Sequence, residues 1–129
     1  MKKLITLLTF TAIFAVIFFA CNTKTCNTEK DQYENAKVEA TTDSIAFINF
    51  KETPPQHFID IVDYYMNKEG QAEEQAWQSA LNLALTDPST NTNAIEFAQN
   101  YTELLEKFNI SVSNRENAYN AWQDCEMQK

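Results

Sequence analysis

The fold is decided by residues 53–86, TPPQHFIDIVDYYMNKEGQAEEQAWQSALNLALT. In each half of this stretch apolar residues recur at spacings of three and four, which places them on one face of an α-helix. Between the halves lies Gly70, which comes two residues after Lys68 and can adopt the left-handed conformation typical of a helix end. The stretch predicts a helical hairpin that turns at Gly70, with one continuous helix as the alternative. The two apolar stripes are Phe58, Ile61, Val62, Tyr65, Met66 and Trp77, Ala80, Leu81, Ala84, Leu85.

Capping and turn residues set the predicted bounds of the hairpin. Thr53 and Gln56 have the spacing of a capping box, and the prolines between them are tolerated in a first helical turn. We therefore expect the first helix to begin at Thr53. The second helix is expected over residues 71–86, because Asp87 and Pro88 stop it.

The chain beyond the hairpin predicts two further helices, over about residues 94–109 and 113–127. Each begins with a residue pair that has the spacing of a capping box. Connectors this short force neighbouring helices to run antiparallel. We expect an all-α fold, a small antiparallel bundle of about four helices made of two helical hairpins. The capping pairs are Asn93 with Glu96 and Ser113 with Glu116.

The secondary structure of a compact apolar run at residues 44–50 is not decided by its pattern, which allows a strand or a helix. Its length and β-branched residues fit a strand, but periodicity does not separate a short strand from a buried helical turn. A strand would have no partner elsewhere in the chain. We therefore favour a short helix, or an extended segment that packs on the bundle.

The composition excludes several classes of function. A single glycine is far below the roughly 7% of average chains, and no Gly-rich phosphate loop or dinucleotide-binding fingerprint can be built from it. The one histidine, His57, shares a helix face with Asp60, but a metal site would need a third ligand that the pattern does not supply. We expect no metal, no cofactor and no catalytic residues.

The first 21 residues have the organisation of a secretory signal. Two lysines precede an apolar segment at residues 4–20, and this segment ends in FFAC, with the cysteine at position 21. A small residue directly before a cysteine resembles the lipobox of bacterial lipoproteins. The resemblance implies that residues 1–20 are a signal peptide and that Cys21 becomes the new N-terminus, held in the membrane by acyl chains such as palmitate. An uncleaved anchor and plain secretion are the alternatives.

Removal of residues 1–20 would leave a small acidic protein. The remaining 109 residues have 8 Lys+Arg against 18 Asp+Glu, a net charge of −10 that repels nucleic acid and anionic lipid headgroups. Residues 21–43 are polar and predict a tether, with a short helix over residues 29–40 as the less favoured alternative, and residues 44–129 predict the helical domain. Asn22 stands where an aspartate retains many such lipoproteins at the inner membrane, so the resemblance favours the outer membrane of the cell envelope.

Two further cysteines remain if Cys21 is acylated. Cys26 and Cys125 form an even pair, and in an oxidising compartment they can be joined by a disulfide. The alternative is a free Cys26 and a Cys125 that is simply a small buried residue. Sequence spacing does not decide between the two, because a disulfide requires a specific geometry.

One junction resembles a tetratricopeptide repeat. An Ala- and Leu-rich helix containing Trp77 is followed by Asp87 and Pro88, a turn, and a helix containing Ala98 and Tyr101. The resemblance covers about 30 residues and implies a packed pair of helices. A repeat array needs about three such units to be stable, and one is visible.

These features favour a non-enzymatic, membrane-anchored lipoprotein that contacts another protein of the envelope. The candidate contact residues are Ile59, Tyr64 and Tyr119, which are apolar or aromatic but do not belong to the apolar stripes of the predicted helices. One alternative is a carrier of a small apolar ligand, and another is a secreted or single-span helical protein of tetratricopeptide-like type. An enzyme would require Cys125, His57 and an acid to converge. The aromatic residues that would line the carrier's pocket are Trp77, Phe97, Tyr101 and Trp122.

Overall fold

The computed structural model describes residues 25–129, so the predicted signal peptide and Cys21 lie outside the described residues. The described part is an all-α bundle of four helices, which confirms the predicted fold class. Helix α4 is the central element, because it contacts each of the other three, and α2 also contacts α3. None of the helices in this part is both long and apolar enough to span a bilayer. The helices are α1 (Asn27–Lys51), α2 (Gln56–Asn67), α3 (Glu73–Thr86) and α4 (Thr92–Met127).

Every proline and the one glycine of the chain lie between helices. Pro54 and Pro55 separate α1 from α2, Gly70 separates α2 from α3, and Pro88 separates α3 from α4. Gly70 has φ +65°, the left-handed conformation expected at the hairpin turn. The predicted hairpin is therefore confirmed, and the continuous helix is excluded.

The caps differ from those predicted. The Thr53 hydroxyl donates to the carbonyl of Phe50, so it belongs to the end of α1, and α2 begins at Gln56 without a side-chain cap. Helix α4 is capped by Asn91, whose side chain accepts from the Asn93 amide at 2.9 Å. Capping spacing alone was misleading, because Ser, Thr and Asn are frequent throughout this chain.

Helix α1 shows that the predicted tether is wrong from Asn27 onward. One continuous helix of 25 residues includes both that polar segment and the apolar run at residues 44–50. The pattern was hidden because large apolar residues lie on two opposite faces of the helix and give no single stripe. The face toward α4 follows a strict seven-residue repeat of buried or half-buried positions, which we call the α1 seam: Cys26, Glu29, Tyr33, Ala36, Ala40, Asp43, Phe47 and Phe50.

Helix α4 is one helix of 36 residues, so the predicted break at residues 110–112 is wrong. Ser113 is an exposed position inside the helix and caps nothing. The region contains no proline or glycine that would end a helix, and the seven-residue repeat continues through it. The α4 seam consists of Ala94, Phe97, Tyr101, Leu104, Phe108, Ser111, Arg115, Ala118, Trp122 and Cys125.

The two seams pair along the full length of α1 as an antiparallel coiled coil. Ring centroids are 5.5 Å apart between Tyr33 and Trp122, and 4.9 Å apart between Phe50 and Phe97. Between these levels the buried Asp43 Oδ1 lies 3.2 Å from Lys107 Nζ, while Oδ2 is buried without a hydrogen-bond partner among the described residues. A charged residue in the seam reaches a group of opposite charge in only one register, so Asp43 fixes how α1 and α4 align.

The bundle has two parts of different thickness. The head (residues 44–106) has four packed helices and contains the main apolar core. The stalk (residues 27–43 and 107–127) consists of α1 and α4 alone, and its seam is rich in small residues such as Ala40 and the buried Ser111. The core of the head is formed by Phe58, Val62, Ala76, Ala80, Leu81, Ala84, Ala94, Phe97, Ala98 and Tyr101.

Gly70 gives the first testable prediction. A Cβ at this position would meet no atom within 4 Å, so the cost of Gly70→Ala arises from φ +65° alone. We expect the free energy of unfolding to fall by about 1 kcal/mol, measured by urea unfolding. Gly70→Asn is the matched control and should lose less, because asparagine tolerates this conformation. An increase in stability on Gly70→Ala would contradict the observed turn.

Candidate functional site

The negative charge of the protein is concentrated in the head. The head has ten acidic residues against Lys51 and Lys68, a net charge of −8, whereas the stalk has eight acidic against four basic residues. Among the described residues, the acidic groups of the head form no ion pairs. The head therefore presents a strongly negative surface that is not neutralised internally.

The outward face of α1 is apolar where a coiled coil is ordinarily charged. Val38, Ile45 and Ile48 are 65%, 55% and 49% exposed, on the side of the helix that points away from α4. The other positions on this face over residues 38–49 are two threonines and, after Ile48, an asparagine, so no charge interrupts it. We call these three side chains the outer stripe. The sequence alone did not reveal them, because only the packing of the α1 seam against α4 shows which face of α1 is buried and which is exposed.

A surface cleft of about 690 Å³ continues the outer stripe at Ile48 and separates the end of α1 from the start of α3. Its wall is formed by Trp77, over whose ring Lys51 Nζ lies at 5.7 Å from the centroid. The remaining lining is acidic: Glu52, Glu73 and Glu74. The two acids of α3 lie in its first turn, where the helix dipole favours negative charge.

Behind the cleft, Trp77 connects the surface to the core. Its ring lies 6.0 Å from that of Tyr101 and 5.0 Å from that of Phe58. Burial raises the pKa of the Tyr101 hydroxyl; the nearby Trp77 N–H opposes this shift, and the charge of Glu74 adds to it. The Trp77 Nε1 atom is buried and makes no hydrogen bond of ordinary geometry among the described residues.

A disulfide joins Cys26 and Cys125 at the base of the stalk, where the sequence had left a bridge and a free thiol as alternatives. Both cysteines are buried, and their Cα atoms are 5.9 Å apart. Beside the bridge, Tyr33 packs between Tyr119 and Trp122, with centroid distances of 5.4 and 5.5 Å. The base is thus closed by a covalent bond and an aromatic cluster.

The three predicted contact residues do not share a surface. Ile59 is half-buried on α2. Tyr64 is exposed on the same helix, and its hydroxyl is 3.4 Å from Glu69 Oε1. Tyr119 is exposed at the base of the stalk, in the aromatic cluster beside the disulfide. Any contact role for the first two residues is therefore separate from a role for Tyr119.

The aromatic residues predicted to line a carrier pocket are also separated. Trp77, Phe97 and Tyr101 pack against one another in the core of the head. Trp122 instead lies in the stalk, stacked on Tyr33. This arrangement does not surround a common cavity and gives the carrier hypothesis no support.

The groups considered for catalysis or metal binding are also apart. Cys125 is bonded to Cys26 at the base, whereas the exposed His57 lies in the head, and the Asp60 carboxylate accepts from Gln56 Nε2 at 2.8 Å. Among the described residues, no three or more His, Cys, Asp or Glu residues lie close enough to hold a metal ion. The outer stripe and the acidic cleft are the strongest candidates for a functional surface.

Comparison with known proteins does not suggest a function for this surface. The chain matches no protein-family model, no curated protein and no solved structure.

Proposed function

We propose that the protein is a non-enzymatic interaction module, anchored in a membrane of the bacterial envelope by a lipid on Cys21, that binds a second protein. The observation that carries the proposal is the outer stripe. Single exposed apolar side chains are common on soluble proteins, but an uncharged row of them on the outward face of a coiled-coil helix is not. Such a row, on a protein this acidic, is typical of a contact surface.

The dimensions of the stalk support anchoring at Cys21. The chain from Cys21 to Cys26 spans no more than about 18 Å even when extended, so an anchor there would hold the base of the stalk near the membrane. The stalk contains residues 27–43 of α1, and these 17 residues correspond to about 26 Å of height for an upright stalk. At the Debye length of about 8 Å that applies at physiological ionic strength, the acidic head would be well screened from anionic headgroups.

The head and stalk would then have separate roles. The stalk sets the distance from the membrane, and its disulfide holds the base closed in an oxidising compartment. The head and the outer stripe lie above the base of the stalk, where a partner can reach them. This arrangement is one that a protein-binding lipoprotein requires.

Site-specific photo-crosslinking in intact cells tests the proposal. A photo-crosslinking amino acid at position 45 should give a discrete adduct with another protein. Position 110 is the matched control, because Ile110 is 54% exposed and Ile45 is 55% exposed, yet Ile110 lies on α4, outside the stripe. The proposal predicts an adduct at 45 and none at 110. Equal labelling at both positions, or none at either, would contradict it.

A further inference from the structure

We infer that the outer stripe and the acidic cleft together bind a basic amphipathic helix of the partner protein, with the helix along α1 and a cationic end in the cleft. This inference rests on the proposed function and deepens it, because it names the chemistry of the partner. It is carried by two observations that meet at Ile48, the residue shared by the stripe and the cleft.

The spacing of the stripe fits a helix. Val38, Ile45 and Ile48 lie at offsets of seven and three, the repeat by which one helix packs against another at a shallow crossing angle. Residues 38–48 rise about 15 Å, which matches about three turns of a partner helix. A fourth turn would extend past Ile48 and over the cleft.

The charge of the cleft fits a cationic end of that helix. Three carboxylates, those of Glu52, Glu73 and Glu74, face one ammonium group, that of Lys51. None of the three is ion-paired within the described part of the chain. A lysine or arginine of the partner would find carboxylates there that are not ion-paired, beside the Lys51 ammonium that already lies over the Trp77 ring. The net charge of −8 on the head would draw a basic partner from a distance.

A second copy of this chain fits the same surface poorly. The stripe is bounded by Glu34 at one end and Glu52 at the other, both on the same helical repeat as its apolar residues. Parallel copies would place each glutamate against its own counterpart, and antiparallel copies would place Glu34 against Glu52, so both arrangements juxtapose like charges.

The test uses the full protein from membranes, reconstituted in phosphatidylcholine nanodiscs, with empty discs as the reference. The probe is a fluorescein-labelled 18-residue designed helix with a leucine stripe and three lysines in its last turn. Its matched control has glutamate in place of each lysine. Fluorescence anisotropy should show saturable binding of the lysine peptide, at least tenfold tighter than the glutamate peptide, and weaker at 300 mM than at 50 mM salt.

Variants of the protein locate the binding surface. Ile45→Glu should weaken binding of the lysine peptide at least tenfold, and so should the combined change of Glu52, Glu73 and Glu74 to Gln. Ile110→Glu, a change at an equally exposed position outside the stripe, should alter binding less than twofold. Circular dichroism checks that each variant retains the helical content of the wild type.

Three outcomes would overturn the inference: equal affinity for the two peptides, binding that Ile45→Glu leaves intact, or no binding of the lysine peptide. A wild-type dimer that Ile45→Glu converts to a monomer in sedimentation would identify a second copy as the occupant and would also overturn it. If the photo-crosslink at position 45 forms in cells while the lysine peptide fails, only the basic helix is rejected and the interaction module stands. A missing crosslink would reject the module itself.

Discussion

Replacing Cys26→Ser and Cys125→Ser together is expected to lower the free energy of unfolding by about 4 kcal/mol. The bridge spans 99 positions in sequence, so it removes much conformational freedom from the unfolded chain. It also closes the thinnest part of the molecule, where α1 and α4 pack without the other two helices and the aromatic cluster of Tyr33, Tyr119 and Trp122 is the main apolar contact beside the bridge. Urea unfolding followed by circular dichroism measures the loss.

Hydrogen exchange would show where the effect lies. Amides at residues 27–36 and 118–127 should exchange much faster in the double variant, whereas amides of α2 and α3 should keep most of their protection. Reductant provides an internal control, because it should make the wild type resemble the double variant and leave the double variant unchanged. An unchanged unfolding midpoint, or unchanged exchange at the base, would show that the bridge does not hold the stalk.

The second large effect is expected for Phe58→Ala, with a loss of about 3–5 kcal/mol in the free energy of unfolding. Phe58 is fully buried, and its ring lies 4.7 Å from that of Phe97 and 5.0 Å from that of Trp77. One side chain of α2 thus contacts both α3 and α4. Its truncation leaves a cavity at the point where the hairpin packs on the central helix.

Tyr64→Ala is the matched control, since it removes an exposed aromatic ring from the same helix. We expect it to change stability by less than about 1 kcal/mol. Phe58→Leu should fall between the two, because it retains most of the buried apolar volume. Thermal and urea unfolding measure all three. If Phe58→Ala costs no more than Tyr64→Ala, the hairpin is not held to α4 through this core.

The hairpin was predictable from sequence because its signals are local. Each of its helices has one apolar stripe, and Gly70 marks the turn between them. In this chain the prolines and the glycine alone locate all three connectors, since none lies inside a helix. The predicted break before Ser113 is wrong, and the same rule would have excluded it, because residues 92–127 contain no proline or glycine.

Helix α1 was not predictable by the same means. Its seam is made of alanine, acidic, cysteine and aromatic residues, while its largest aliphatic side chains point outward. An apolar stripe cannot be recognised when apolar residues lie on opposite faces, so the segment resembled a tether. Only pairing with α4 tells the two faces apart, and that pairing joins residues far apart in sequence.

The candidate surface was hidden for the same reason. The outer stripe can be recognised as exposed only once the seam of α1 is known. The cleft depends on the tertiary fold, which brings Ile48 and Glu52 next to Trp77. What the sequence does supply is the charge that lines the cleft and the acidity of the head. The residues that the sequence did single out as contacts, Ile59, Tyr64 and Tyr119, lie outside both the outer stripe and the cleft.

The anchoring of this module is tested most directly by mass spectrometry of the protein extracted from membranes. The account predicts a mature N-terminus at Cys21 with added acyl mass, and a disulfide between Cys26 and Cys125. An intact Met1, or a mature chain without a lipid at Cys21, would contradict the proposal that the stalk is held at the membrane by that residue.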